Sequence, residues 1–217
     1  AVVFDLDDTL FPEQDYAYSG FQAVASWLRQ QIACPSDPEI RMRELFQGLH
    51  RSRVFDQLLD EWGCKHAAEL IPPMIDCYRQ HTPSIALFPD AATAIDRWRG
   101  RFRMGLLSDG PLAVQQRKVQ ALGLQDRLDM VVLTDQWGRA YWKPHLRGFQ
   151  HIEINWQISG LACLFIAHNP AKDFVPPRQL GWRTVQVRRQ IGIYGDQQPA
   201  GGGTPEFEVT SLDEIDL

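Results

Sequence analysis

Five residues near the start of the chain, Asp5-Leu6-Asp7-Asp8-Thr9, constrain the fold more than any other stretch. They follow Val2-Val3-Phe4, a short apolar run that reads as a buried strand with the acidic cluster at its C-terminal end. Three carboxylates within four residues repel one another. A fold tolerates that where a cation or a transferring group binds. In open α/β sheets, ligands bind at that end of the strands. The bland alternative is an acidic turn without chemistry, so the cluster has to be read against the partners supplied elsewhere.

From about residue 16 to 81 the pattern is helical. Phe21, Val24, Ala25, Leu28 and Ile32 recur at helical intervals and mark one amphipathic helix. Cys34-Pro35-Ser36-Asp37-Pro38 breaks it, and Ser36 or Asp37 can cap a second helix with Ile40, Leu45, Phe46 and Leu49 on its apolar face. Phe55, Leu58, Leu59 and Trp62 mark a third, ending near Gly63, and 67–78 a fourth that Pro72-Pro73 would bend or split. No strand pattern interrupts this block, which reads as an all-helical insertion.

Beyond it, strands alternate with helices. Asp90 is expected to cap a helix running through Ile95 and Trp98. Met104-Gly105-Leu106-Leu107 is a strand ending on Ser108-Asp109-Gly110, and a helix from Leu112 with Val114, Val119 and Leu122 inward stops at Gly123. Met130-Val131-Val132-Leu133 is the next strand, followed by a loop to Lys143-Pro144 and a helix carrying Phe149, Ile152 and Ile154. Cys163-Leu164-Phe165-Ile166 runs into Ala167-His168-Asn169, and a helical stretch past Asp173 and Phe174 ends at Gly181. A strand over 183–187, a flexible glycine-rich loop over 195–205 and an edge strand at Phe207-Glu208-Val209 complete the chain. Alternation of this kind implies a mostly parallel sheet covered on both faces, with the helical block entering after the first strand. The expected boundaries are an α/β core domain, 1–13 and 83–217, and a helical domain, 14–82, at the sheet's C-terminal edge where a lid would sit.

Composition excludes several partners. A net charge of −5 with no basic stripe argues against nucleic acid. No apolar run approaches the roughly 18 residues of a membrane span. No signal-peptide pattern is expected at the start, where a few residues would be missing before the first strand. Cys34, Cys64, Cys77 and Cys163 are scattered, as reduced cysteines of a cytoplasmic protein are. No oligomeric state is legible.

The proposed sheet would gather Asp5 and Asp7, Ser108, Lys143, and His168 with Asp173 at one edge, although they lie far apart in sequence. Singly each has a plain structural reading: Ser108 as a helix cap, Lys143 as a surface lysine, Asp173 as a first-turn acid and His168 as a neutral packing residue. Together, Phe4-Asp5-Leu6-Asp7-Asp8-Thr9-Leu10, Leu107-Ser108-Asp109-Gly110, Lys143-Pro144 and Asn169-Pro170-Ala171-Lys172-Asp173-Phe174 resemble the haloacid dehalogenase superfamily. The match is to its aspartate-nucleophile phosphatase branch with a helical C1-type cap.

That resemblance implies a Rossmann-like three-layer α/β sandwich, a mostly parallel sheet with an all-helical cap inserted after the first strand, and hydrolysis of a small-molecule phosphate ester. Asp5 would be the nucleophile, forming an aspartyl-phosphate, and Asp7 the acid/base. Ser108, with backbone N–H groups near Asp109 and Gly110, would bind phosphoryl oxygens, and Lys143 would offset their charge. Mg2+, or Mn2+ or another divalent metal, would be held by Asp5, the Asp7 carbonyl and fourth-motif residues including Asp173. In that family the position of His168 normally carries an acid, so His168 weakens magnesium binding, re-tunes the site to a transition metal, or marks a protein that binds phosphorylated ligands without turnover. A 2-haloacid dehalogenase, which needs Asp5 but neither Asp7 nor metal, is a further alternative, and a phosphoryl-transfer mutase a weaker one. Phe11, Pro12, Tyr16, Tyr18, Arg51 and Arg53 are placed near the entrance of the site, with Arg51 and Arg53 preferred as solvated surface residues.

Overall fold

The computed structural model describes residues 1–48, 51–192 and 197–217. Leu49, expected on a helix face, and the start of the glycine-rich loop at Gly195 lie outside them. The chain divides into two compact units, one of residues 1–13 and 85–217, the other of 14–84.

In chain order, β1 (Val2–Phe4) is followed by α1 (Glu13–Gln31), α2 (Pro38–Gln47), α3 (Val54–Glu61) and α4 (Ala67–Gln80). Then come α5 (Pro89–Trp98), β2 (Met104–Ser108), α6 (Leu112–Ala121), β3 (Met130–Leu133), α7 (Arg147–Trp156), β4 (Leu164–Ala167), α8 (Val175–Gln179), β5 (Arg183–Val187) and β6 (Phe207–Val209). The six strands form one sheet in the order β3-β2-β1-β4-β5-β6, parallel throughout. The apolar runs of β1, β2 and β4 are buried at every position, as strands covered on both faces must be. β1 lies between β2 and β4, with Phe4 level with Leu106 on one side and Ile166 on the other. This is the switch point of the strand order, where the crossovers on either side part and leave a crevice beyond the strand ends. Beneath it, Phe149 packs edge-on against Phe165 and Trp182, with centroids 5.0 and 5.4 Å apart.

The helical unit has its own core of Phe21, Val24, Leu28, Met42, Leu58, Leu59 and Met74. Asp37 is the cap of α2, accepting from the N–H groups of Glu39 and Ile40 at 2.9 and 3.1 Å. Ile40 itself is 60% exposed, against expectation. The buried stripe of α2 runs through Pro38, Met42 and Leu45, and Ile40, two residues from Met42, points the other way. Ile154 fails the same way on α7, where Gly148, Phe149, Ile152 and Trp156 form the stripe. Pro72 and Pro73 do not split α4, which continues through both. The carbonyls they leave without donors, on Ala68 and Glu69, belong to exposed residues, where water can bond them.

Asp90 is not the cap of its helix. Phe88 occupies that place and Pro89 opens α5, its fixed φ suited to a first turn. The Asp90 carboxylate instead takes Arg189 Nη1 at 2.6 Å, Ser211 Oγ at 3.0 Å and the Leu212 N–H at 2.8 Å, tying α5 to the chain beyond β5 and β6. Burial pulls this carboxyl upward, but Arg189 and the other donors outweigh it and hold it below its ordinary value of 3.8. A depressed folded pKa contributes stability above the unfolded value, lost as the pH falls through the folded one. Asp90→Asn is expected to lower stability at pH 7 by about 2 kcal/mol. Urea midpoints of wild type and variant should converge as the pH drops well below 3.8.

Candidate active site

The site is built at the ends of β1, β2 and β4. Asp5 extends β1, its N–H donating to the Ile166 carbonyl at 2.9 Å, so its carboxylate leaves the sheet at a fixed position. One oxygen accepts Lys143 Nζ at 2.6 Å, while the other lies 3.4 Å from the Thr9 hydroxyl and 3.8 Å from His168 Nδ1. Lys143 also meets Asp173 at 2.8 Å, with no exposed side-chain surface on either residue. Asp173 is held from behind by the Asn169 N–H at 3.0 Å. Burial would raise the Asp5 carboxyl, but Lys143 first, then His168 and Lys172, hold it far below its usual range. Burial likewise opposes the Lys143 ammonium, and Asp173, Asp5 and Asp109 keep it protonated well above the ordinary lysine value. Asp173, unlike Asp5, is raised, because its burial lifts it more than Lys143 lowers it.

Asp7 and Asp8 diverge after the strand. Asp8 is buried with φ +51° and accepts the Glu13 N–H at 2.8 Å, which satisfies one free amide at the start of α1. Asp7 is part-exposed and is gripped from α6, with Lys118 Nζ 2.6 Å from one oxygen and Gln115 Nε2 2.8 Å from the other. The same Gln115 amide lies 2.8 Å from Ser108 Oγ and 2.6 Å from the Asp109 carbonyl. Gly110, at φ +127°, is needed there because a Cβ would sit 3.0 Å from Gln115 Cδ. The Asp109 side chain is taken up internally, by the Thr134 hydroxyl at 2.7 Å, the Lys143 N–H at 3.1 Å and Lys172 Nζ at 3.2 Å. Beside this cluster, burial and the charges of Asp7 and Asp8 push Glu13 up to about 7, against Lys118 and His168.

His168 is buried, its ring nitrogens each 3.8 Å from a carboxylate, Nδ1 from Asp5 and Nε2 from Asp8. Burial lowers its pKa, but Asp5, Asp8 and Asp173 raise it more, above the ordinary 6.5. The imidazole thus lies between two acids.

Asp5, Asp7, Ser108, Asp109, Gly110, Lys143, His168 and Asp173 lie in this cluster, whereas Tyr16 and Tyr18 pack inside the helical unit, against Tyr78 and Phe46, and Arg51 and Arg53 are exposed in that unit. Arg53 pairs with Asp56 at 3.5 Å. The reading missed Gln115, Lys118, Thr134 and Lys172. Gln115 and Lys118 are three residues apart on α6 and share a side with Val114 and Val119, a periodicity that would have flagged them as inward-facing.

The sequence matches the family of haloacid dehalogenase-like hydrolases over residues 1–175. The chain belongs to the haloacid dehalogenase-like hydrolases. It is 25% identical to a glyceraldehyde 3-phosphate phosphatase of Methanopyrus kandleri, covering 99% of this chain and 94% of that protein. It is 22% identical to the pyrimidine 5'-nucleotidase YjjG of Escherichia coli, covering 99% and 95%. Among solved structures it resembles the HAD-hydrolase YfnB of Bacillus subtilis, bound to magnesium, with a TM-score of 0.71 at 18% identity over 98% of this chain and 95% of that one. It also resembles a 2-haloacid dehalogenase of Pseudomonas syringae, at 0.65 and 20% over 98% and 94%. These likenesses establish the α/β fold, and the sheet is wholly parallel where a mostly parallel one was expected. No helix among the described residues is long and apolar enough to cross a membrane.

Asp5, His168 and Asp173 bring possible metal-donor atoms within 4.8 Å of one another. Both Asp173 oxygens already serve internal donors, and one of the three donors is nitrogen. Magnesium demands an octahedral shell of oxygens, whereas imidazole suits transition metals. The set therefore suits a divalent ion that accepts nitrogen better than one that requires oxygen.

Removing Lys143 would strand two buried carboxylates. Lys143→Met is expected to destabilise by about 3–5 kcal/mol in urea denaturation, and adding Asp173→Asn to recover part of the loss.

Proposed function

We propose that the chain is a phosphatase hydrolysing a small phosphorylated metabolite through an aspartyl-phosphate on Asp5. The observation that carries this reading is the buried Asp5 carboxylate, kept ionised by Lys143, with a second carboxylate two residues on and Ser108 at the neighbouring strand end. An ionised carboxylate at the switch point is a nucleophile that needs no further activation.

Asp5 attacks phosphorus as the bond to the leaving oxygen breaks, and Asp7 gives that oxygen its proton. Asp7, now a carboxylate, takes a proton from water. The resulting hydroxide attacks the aspartyl-phosphate, the bond from phosphorus to Asp5 breaks, and inorganic phosphate leaves with Asp5 and protonated Asp7 restored. Ser108 and the N–H groups of Asp109 and Gly110 hold phosphoryl oxygens, and Lys143 offsets their charge. Asp5, Asp173 and His168, with the Asp7 carbonyl, would hold a divalent metal, which when bound adds charge stabilisation to the phosphoryl group. Mn2+ or Co2+ suits this set above Mg2+.

Residues 14–82 are the cap domain in this reading, and 1–13 with 83–217 the core. The relatives that act on triose phosphates and pyrimidine 5'-nucleotides support those two classes as the first substrates to assay. His168 favours one second reading, a protein that binds phosphorylated ligands without turnover.

Turnover of p-nitrophenyl phosphate decides between them. Activity is expected in the wild type and absent in Asp5→Asn. It should be higher with Mn2+ or Co2+ than with Mg2+, with His168→Asp shifting the preference toward Mg2+. Melting temperature with each metal is the independent readout and should follow the same order. If neither protein turns over a phosphate ester with any metal, the catalytic reading fails. Halide release from 2-chloropropionate, run in parallel, is expected to be nil.

A further inference from the structure

Lys118 has no role in the reaction as drawn above, yet it is buried on α6 with only 5% of its side chain exposed. An ammonium in such a place is costly unless it is paired. Its partner is Asp7, at 2.6 Å, while Gln115, one turn earlier on the same helix, takes the other Asp7 oxygen at 2.8 Å. The two donors are three residues apart, so one helix face presents both to a single carboxylate. Gln115 also reaches Ser108 Oγ at 2.8 Å, which couples the position of Asp7 to that of the proposed phosphoryl-binding serine. The ring of Phe11 lies 5.7 Å from the ammonium, and Phe11 itself forms a β-bridge with Asp7, closing the turn around the pair. Without these donors a part-exposed aspartate just past a strand end would sample several rotamers.

We propose that Lys118, assisted by Gln115, is a positioning residue that fixes the Asp7 carboxylate for proton transfer. The proposal rests on Asp7 being the acid/base. Proton transfer requires heavy atoms within about 2.6–3.2 Å, so a carboxylate left to wander loses rate without losing substrate. Lys118 is matched to the second half of the reaction, in which Asp7 is a carboxylate taking a proton from water, because a neutral donor in its place would orient Asp7 but leave that charge uncompensated beside Asp5 and Asp8.

The test is a double-mutant cycle on p-nitrophenyl phosphate and one alkyl phosphate, with thermal melting to show that each variant is folded. Lys118→Met is expected to lower kcat by about 100-fold, with KM changed by less than about threefold. In the Asp7→Asn background, the same substitution should change kcat by less than about threefold, because its effect passes through Asp7. An equal loss in both backgrounds would overturn the proposal, as would a raised KM with unchanged kcat, which would make Lys118 a phosphate ligand. Should Lys118→Met not fold, Gln115→Met gives the same cycle, with a loss of about tenfold expected and the same non-additivity. Persistence of turnover in Asp5→Asn, measured alongside, would sink the phosphatase reading itself, a failure distinct from that of Lys118.

Discussion

The ammonium of Lys143, buried between Asp5 and Asp173, is the interaction on which the rest of the site depends. Each of the three groups would be a severe liability alone at that depth. Together they form a chain of alternating charge fixed at 2.6 and 2.8 Å. Lys143 arrives from the loop after β3, Asp5 from the end of β1 and Asp173 from the turn before α8. Their meeting therefore requires the sheet to be formed in its order, with β1 central. The strand order and the ion pairs support one another: the crevice at the switch point gives the charges a place, and the charges lock three loops around it.

The same logic extends outward. Asp7 and Asp8, forced into the same turn as Asp5, are each given separate donors, Lys118 and Gln115 for one and the start of α1 for the other. His168 fills the gap between Asp5 and Asp8, and Lys172 answers Asp109. The site is a lattice of acids separated by fixed cations, in which most donors and acceptors are already arranged before substrate arrives. In the proposed phosphatase reaction, such preorganisation would stabilise charge developing on a phosphoryl group without further rearrangement.

Much of this was legible in the chain. The apolar runs located all six strands to within one residue, and for β1, β2 and β4 the reason is that strands buried on both faces have little freedom in composition. What escaped were residues whose type misdescribes their surroundings. Gln115 and Lys118 are polar in type yet share the buried stripe of α6 with Val114 and Val119, and only the folded position of Asp7 shows what they face. Ile40 and Ile154 look like core and are exposed, because a single apolar residue does not set which stripe of a helix is buried. Asp90 has the composition of a cap, yet a proline ahead of it starts the helix and releases its carboxylate to bind Arg189.

The sequence by itself determined the alternation of elements, the helical insertion and the acidic cluster at the end of β1, since these follow from local periodicity and from residue chemistry. Only the tertiary structure decided which cation answers which acid. Ion pairing depends on distances between segments more than a hundred residues apart, and Lys118 with Asp7 or Lys143 with Asp5 could be paired only once the parallel sheet had fixed those distances.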